Sequence, residues 1–156
     1  MRKFIIALIP FLVGLLSGFI VNRPFSQGYC NDLTFKIQED VRKLKHVRSQ
    51  TFLVLYFPER SQFTEPLIKI GNDLTKLYFR SEIFILGIAE NEHPQLEMCH
   101  FPIIYRPYHG KYPILFLFDR KRSLIFKFPA INLNELQTDR LKQILKQLMD
   151  FTIYRI

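Results

Sequence analysis

The sequence predicts an α/β domain, a mixed sheet flanked by helices, preceded by one membrane-spanning helix. Three observations predict it. An uncharged apolar run, Phe4–Val21, stands near the start of the chain. Further on, a continuous apolar run rich in β-forming residues, 51–57, and a second buried-strand pattern, 82–90, enclose a stretch with helical periodicity. A charged turn then joins two more apolar runs, 112–119 and 123–128, ahead of a last amphipathic segment.

The first run has 18 residues, and a helix needs roughly 20 to cross the ~30 Å hydrocarbon core of a bilayer. Pro10, Gly14 and Gly18 are tolerated in such helices. Gly14 and Gly18 also form a GxxxG, a weak dimerisation signal. Arg2 and Lys3 precede the run and only Arg23 closely follows it. The positive-inside rule then places the amino terminus in the cytoplasm and the domain on the periplasmic or extracellular side. No A-x-A-like pattern closes the run, so the expectation is an uncleaved signal anchor. The organisation read from the sequence is an anchor over 1–22, a linker with a short amphipathic segment over 23–50, and a folded domain over 51–156.

In the linker, Val41, Leu44 and Val47 recur at helical spacing, after an extended stretch Leu33 to Ile37. Thr51–Phe57 reads as a central strand buried on both faces, ended by Pro58. Residues 64–79 place Leu67, Ile70, Leu74 and Leu77 on one helical face, with Thr64 as cap and Pro66 in the first turn. Residues 82–90 form the next strand, and strand–helix–strand implies a right-handed parallel crossover. Residues 91–109 are irregular, with a short extended Phe101 to Tyr105. Residues 112–119 and 123–128 form an antiparallel hairpin. The final helix, 134–151, carries Leu141, Ile144, Leu145 and Leu148 on one stripe, with Asn132 and Glu135 as a capping box.

Composition excludes several chemistries. The only cysteines, Cys30 and Cys99, make neither a CxxC nor a zinc-ligand pattern. His46, His93, His100 and His109 lack metal-ligand spacing, and there is no Gly-rich phosphate loop or G-x-S-x-G. No metal or cofactor is expected. The net charge is +8. The charges are scattered, as on a solvated surface, apart from two clusters: Arg42, Lys43, Lys45 and Arg48, and the hairpin turn Arg120, Lys121 and Arg122. The first is a candidate for contact with anionic lipid. Nucleic acid is a poor partner, because the aromatic residues fall on core strands.

This order of elements resembles the thioredoxin-like superfamily, and within it the membrane-anchored redoxins related to thiol–disulfide oxidoreductases and peroxiredoxins. Phe52 to Phe57 looks like that family's first central strand, and Ile83 to Ala89 like the strand after the active-site helix. Tyr112 to Asp119 looks like the cis-proline strand with its charged turn. The likeness covers Thr51 to Phe151. It implies a reactive CxxC at the start of the helix after the first strand, where the helix N-terminus stabilises a thiolate. Here that segment is Pro58-Glu59-Arg60-Ser61-Gln62-Phe63-Thr64-Glu65-Pro66, without a cysteine. The resemblance therefore carries over only Pro113, as candidate cis-proline, and a binding face that would include Ser61 and Thr64.

Cys99 is the weak catalytic candidate. His100 follows it, but neighbours on an extended chain point to opposite faces. A disulfide between Cys30 and Cys99 is open in an oxidising compartment. The expected function is a membrane-tethered, redox-inactive module that binds a protein partner or supports an assembly. The alternative is an atypical thiol-disulfide oxidoreductase or peroxiredoxin-like enzyme working through Cys99.

Overall fold

The computed structural model describes residues 27–59 and 61–154. Phe4–Val21 lies outside them. Among the described residues no helix is long and apolar enough to cross a membrane.

The order is helix α1 (Gln27–Lys43), strand β1 (Thr51–Phe57), helix α2 (Thr64–Leu77), strand β2 (Ile83–Ala89), a single 3₁₀ turn (Pro94–Met98), and strands β3 (Ile103–Tyr105), β4 (Ile114–Asp119) and β5 (Leu124–Pro129). Helix α3 (Glu135–Ile153) follows. The strands form one sheet in the order β3-β2-β1-β4-β5. β1 pairs in parallel with β2 and antiparallel with β4, and β4 pairs antiparallel with β5. The expected mixed sheet, crossover and hairpin are all present.

All of β1 is buried. Its alternate residues Phe52, Val54 and Tyr56 join Phe116 and Phe118 of β4 in one core cluster, with Leu33, Ile37 and Val41 of α1. Leu53, Leu55 and Phe57 point to the other face, as strand alternation requires, where α2 and α3 contact the strand. The edge strand β3 pairs with Gly87–Ala89 only. Pro102, just before it, has no N–H to extend the ladder, so the N-terminal half of β2 keeps an open edge.

Three local expectations are corrected. Leu33 to Ile37 is helical, not extended, and the helix ends at Lys43, short of Leu44 and Val47, because Leu33, Ile37 and Val41 form the stripe, at i, i+4, i+8, that packs on the sheet. Thr64 is the first residue of α2, not its cap. The cap is Phe63, which makes no side-chain capping bond. The capping box of α3 is Asn134 with Gln137, two residues beyond the expected pair: Asn134 Oδ1 accepts from the Gln137 N–H at 2.8 Å and Gln137 Oε1 from the Asn134 N–H at 3.1 Å.

The hairpin tip is tight. Asp119 accepts from the Arg122 N–H at 2.9 Å, and Arg122 takes a left-handed backbone, φ 61°. Loops of this length place glycine or asparagine there. The Arg122 guanidinium is anchored instead. It donates to the carbonyls of Leu44 at 3.0 Å and Val47 at 2.9 Å, and lies 4.8 Å from the Phe52 ring centre.

Two residues of α1 test its packing. Ile37 is 0% exposed and Phe35 is 56% exposed. Ile37→Ala is expected to cost about 2–5 kcal/mol of unfolding free energy, and Phe35→Ala to stay within about 0.5 kcal/mol, both read from urea denaturation midpoints.

Candidate functional site

The corner between β1 and α2 is where the resemblance places reactive chemistry. β1 ends at Phe57 and runs into buried Pro58. Ser61 shapes the turn: its Oγ accepts from the Phe63 N–H at 3.2 Å, and its carbonyl from the Thr64 N–H at 3.2 Å. Thr64 is fully buried, and its hydroxyl has no hydrogen-bond partner among the described residues. Pro113 reaches the same end of the sheet, because Ile114 pairs with Tyr56. The expectation of a cis bond at Pro113 is corrected: no cis peptide occurs among the described residues. Trans is the ordinary state of an X–Pro bond. Here Pro113 continues as extended chain into β4, its carbonyl accepting from the Ala130 N–H at 2.8 Å. The structure thus brings Ser61, Thr64 and Pro113 to one end, where Thr64 and Pro113 are buried, Ser61 is partly exposed, and no thiol lies among the described residues of the turn.

Behind this corner, two polar groupings close the same end of the sheet. The Tyr56 hydroxyl, fully buried, donates to Glu90 Oε1. The Gly110 N–H points at both, 2.7 Å from the hydroxyl and 2.5 Å from the carboxylate. A Cβ on Gly110 would strike the Tyr56 ring, so glycine is required by this close approach. On α1, Asp40 is buried and accepts from the Tyr108 hydroxyl at 2.5 Å, with Arg106 Nε at 3.4 Å. Burial, and after it the bond to Asp40, pushes the Tyr108 hydroxyl up to about 12. Sequence reading missed these residues. Asp40 reads in the sequence only as one charge of a polar segment; its need for a partner shows once Leu33, Ile37 and Val41 are seen to bury that side of the helix.

Cys99 is elsewhere. Asn72, in the middle of α2, straps its segment: Asn72 Nδ2 donates to the Met98 carbonyl at 2.8 Å, and Asn72 Oδ1 accepts from the His100 N–H at 2.8 Å. Asn72 lies eight residues after Thr64, about 12 Å along the helix axis. Cys99 therefore sits beside the C-terminal half of α2, away from the helix N-terminus that would stabilise a thiolate. It lines a cavity of about 540 Å³ with Tyr78, Arg80, Phe84 and Phe101, along the open edge of β2. Its thiol is free and half-buried, and burial pushes it up to about 11. Among the described residues no hydrogen bond joins its sulfur to His100. A second cavity, about 470 Å³, is lined by Glu92, His93, Glu97 and Tyr105, and no cluster of metal-ligating side chains occurs among the described residues.

No family model matches the chain, and no curated protein matches its sequence. Solved structures do match its fold. A thiol:disulfide interchange protein, DsbE, from Chlorobium tepidum aligns with a TM-score of 0.55 at 12% identity, covering 68% of this chain and 84% of that one. A thiol-disulfide isomerase from Corynebacterium glutamicum aligns with a TM-score of 0.50 at 12% identity, covering 69% and 83%. AhpC of Mycobacterium tuberculosis gives 0.50 at 16% identity, covering 68% and 76%. The chain has a thioredoxin-like fold.

The position of Cys99 fixes its reactivity. Iodoacetamide labelling at neutral pH is expected to run well below the rate of a small free thiol, and to climb as pH rises toward 11. The linked stability follows in sign. An unfolded cysteine loses its proton near pH 9, while the folded one keeps it. Stability is therefore intact below pH 9 and falls as pH rises through 11. Fast labelling at Cys99 itself at pH 7 would contradict this placement.

Proposed function

We propose that this chain is a membrane-tethered, thioredoxin-like module that performs no thiol–disulfide chemistry and serves to bind a protein partner or support an assembly. Disulfide exchange proceeds through attack by a thiolate. The observation that carries the reading is the composition of the corner after β1: Ser61 and Thr64 shape it, and the segment 58–66 contains no cysteine. The remaining described thiol, Cys99, is held half-way down α2 and is protonated at neutral pH.

The closed polar groupings behind the corner support a binding role over a catalytic one. Tyr56 is fully buried and bonded to Glu90, so its hydroxyl does not reach solvent as an acid or base. The tether rests on Phe4–Val21 and on the flanking charges Arg2 and Lys3. With the same orientation, the module works on the extracytoplasmic side.

The test is turnover. Insulin reduction in the presence of dithiothreitol, and peroxide consumption with a thiol donor, should both match the protein-free blank. The Cys99→Ser variant should be indistinguishable from the parent chain. Turnover that disappears with Cys99→Ser would establish the thiol-enzyme alternative in place of this one.

A further inference from the structure

Thr51 pairs with Ile83 on one side and with Asp119 on the other. Three connections therefore meet at this end of the sheet, opposite the corner after β1: residues 44–50, 78–82 and 120–123. The two basic clusters, far apart in sequence, meet here. Arg122 bonds the carbonyls of Leu44 and Val47, which brings Arg120 and Lys121 to the segment holding Lys45 and Arg48. Ser49 Oγ donates to the Arg80 carbonyl at 2.6 Å, joining the third connection to them.

The same end carries apolar side chains in water. Helices α2 and α3 run side by side in the same direction, tied by Lys142 to Asp73 at 3.1 Å and by the Tyr78 hydroxyl to Asp150 at 2.5 Å. Their C-termini expose Leu77 and Phe79 from one helix, and Phe151 and Tyr154 from the other. Phe79 is 79% exposed. Three carboxylates among the described residues lie at this end and are hydrogen-bonded within the fold, where they offset part of the positive charge: Asp119 accepts from the Ser123 N–H, Glu82 from the Phe79 N–H, and Asp150 from the Tyr78 hydroxyl. Among the described residues, Lys45, Arg48, Arg80, Arg120 and Lys121 make no ion pair.

We propose that this end of the domain docks on an anionic lipid surface, with Phe79 entering the headgroup layer and the surrounding cations facing lipid phosphates. Cations drawn from three separate connections make a broad positive field, suited to an extended negative plane. Exposed aromatic and aliphatic side chains among Lys and Arg are what an interfacial surface buries and pairs together. The proposal rests on the membrane tether above, and it names what the tethered module touches besides a protein partner.

The chain contains no tryptophan, so Phe79→Trp makes the only indole. Phe35→Trp, exposed on α1, is the control. The full chain is mixed with phosphatidylcholine vesicles or with vesicles that also contain phosphatidylglycerol, each with brominated acyl chains as quencher. At Phe79→Trp, emission should shift to the blue and be quenched several-fold more on the anionic vesicles, while Phe35→Trp responds little. Adding Arg120→Glu and Lys121→Glu should reduce the preference for anionic vesicles by roughly tenfold or more.

Retention on neutral vesicles after a high-salt wash reads the tether alone. If the chain is not retained there, the tether fails, while quenching on anionic vesicles still decides docking. Three results would overturn the proposal: no binding to anionic vesicles; an unquenched Phe79→Trp on vesicles that hold the chain; or a blue shift that grows with protein concentration without lipid, which would mark a protein–protein surface.

Discussion

Strand β1 is buried along its whole length, and the architecture follows from covering it twice. A strand with no solvent-facing side needs a partner on each edge and a layer on each face. β2 and β4 supply the edges. Leu33, Ile37 and Val41 of α1 cover one face, and α2 with α3 covers the other. Gly71 of α2 lies so close to the sheet that an added Cβ would stand 2.7 Å from Leu55 Cδ1 and 2.6 Å from Phe101 Cε1. Phe101 wedges beneath α2, and the segment Cys99–Pro102 is held away from the corner by that wedge and by Asn72.

What the sequence reveals tracks how much of an element's signal is local. β1, β2 and the β4–β5 hairpin are legible because an uninterrupted apolar run, or a charged turn between two runs, has few other solutions. The stripe of α2 is legible from Leu67, Ile70 and Leu74 for the same reason. Helix α1 is not. Leu33, Ile37 and Val41 sit in a polar, charged background, and their spacing of four acquires meaning only once a bare sheet face must be covered. Cap positions also escape local reading: Asn132 and Asn134 are both acceptable N-caps, and it is the second that makes the reciprocal bonds of the box, with Gln137. At the corner after β1, sequence shows that sulfur is missing from residues 58–66. The isomer of Pro113 and the partnerless hydroxyl of Thr64 depend on tertiary packing, which composition does not encode. Tyr56, Glu90 and Gly110 are scattered over 54 positions and form no motif.

Those three residues bear on what the corner end can do. A tyrosine hydroxyl inside a core is costly without a partner. Glu90 accepts from it, and the Gly110 N–H occupies what remains. Asp40 is likewise held between Tyr108 and Arg106. Networks of this kind are stabilising only when every member is bonded. Opening this end to admit a substrate would strand a buried carboxylate and a buried hydroxyl together.

The opposite end obeys a different rule. Asp119, Glu82 and Asp150 accept from backbone and tyrosine donors, while Lys45, Arg48, Arg80, Arg120 and Lys121 are exposed to solvent and the helices finish in Leu77, Phe79, Phe151 and Tyr154. Arg122 is the hinge of that arrangement. A left-handed backbone is unfavourable for a side chain with a Cβ, and glycine would remove that strain. The guanidinium instead bonds two carbonyls and covers Phe52, so the strained residue fastens the hairpin tip to the segment between α1 and β1. With arginine in that position, the exposed charges of two distant segments are held as one surface, and the fold's rigid β1 sets the separation between that surface and the closed corner at its other end.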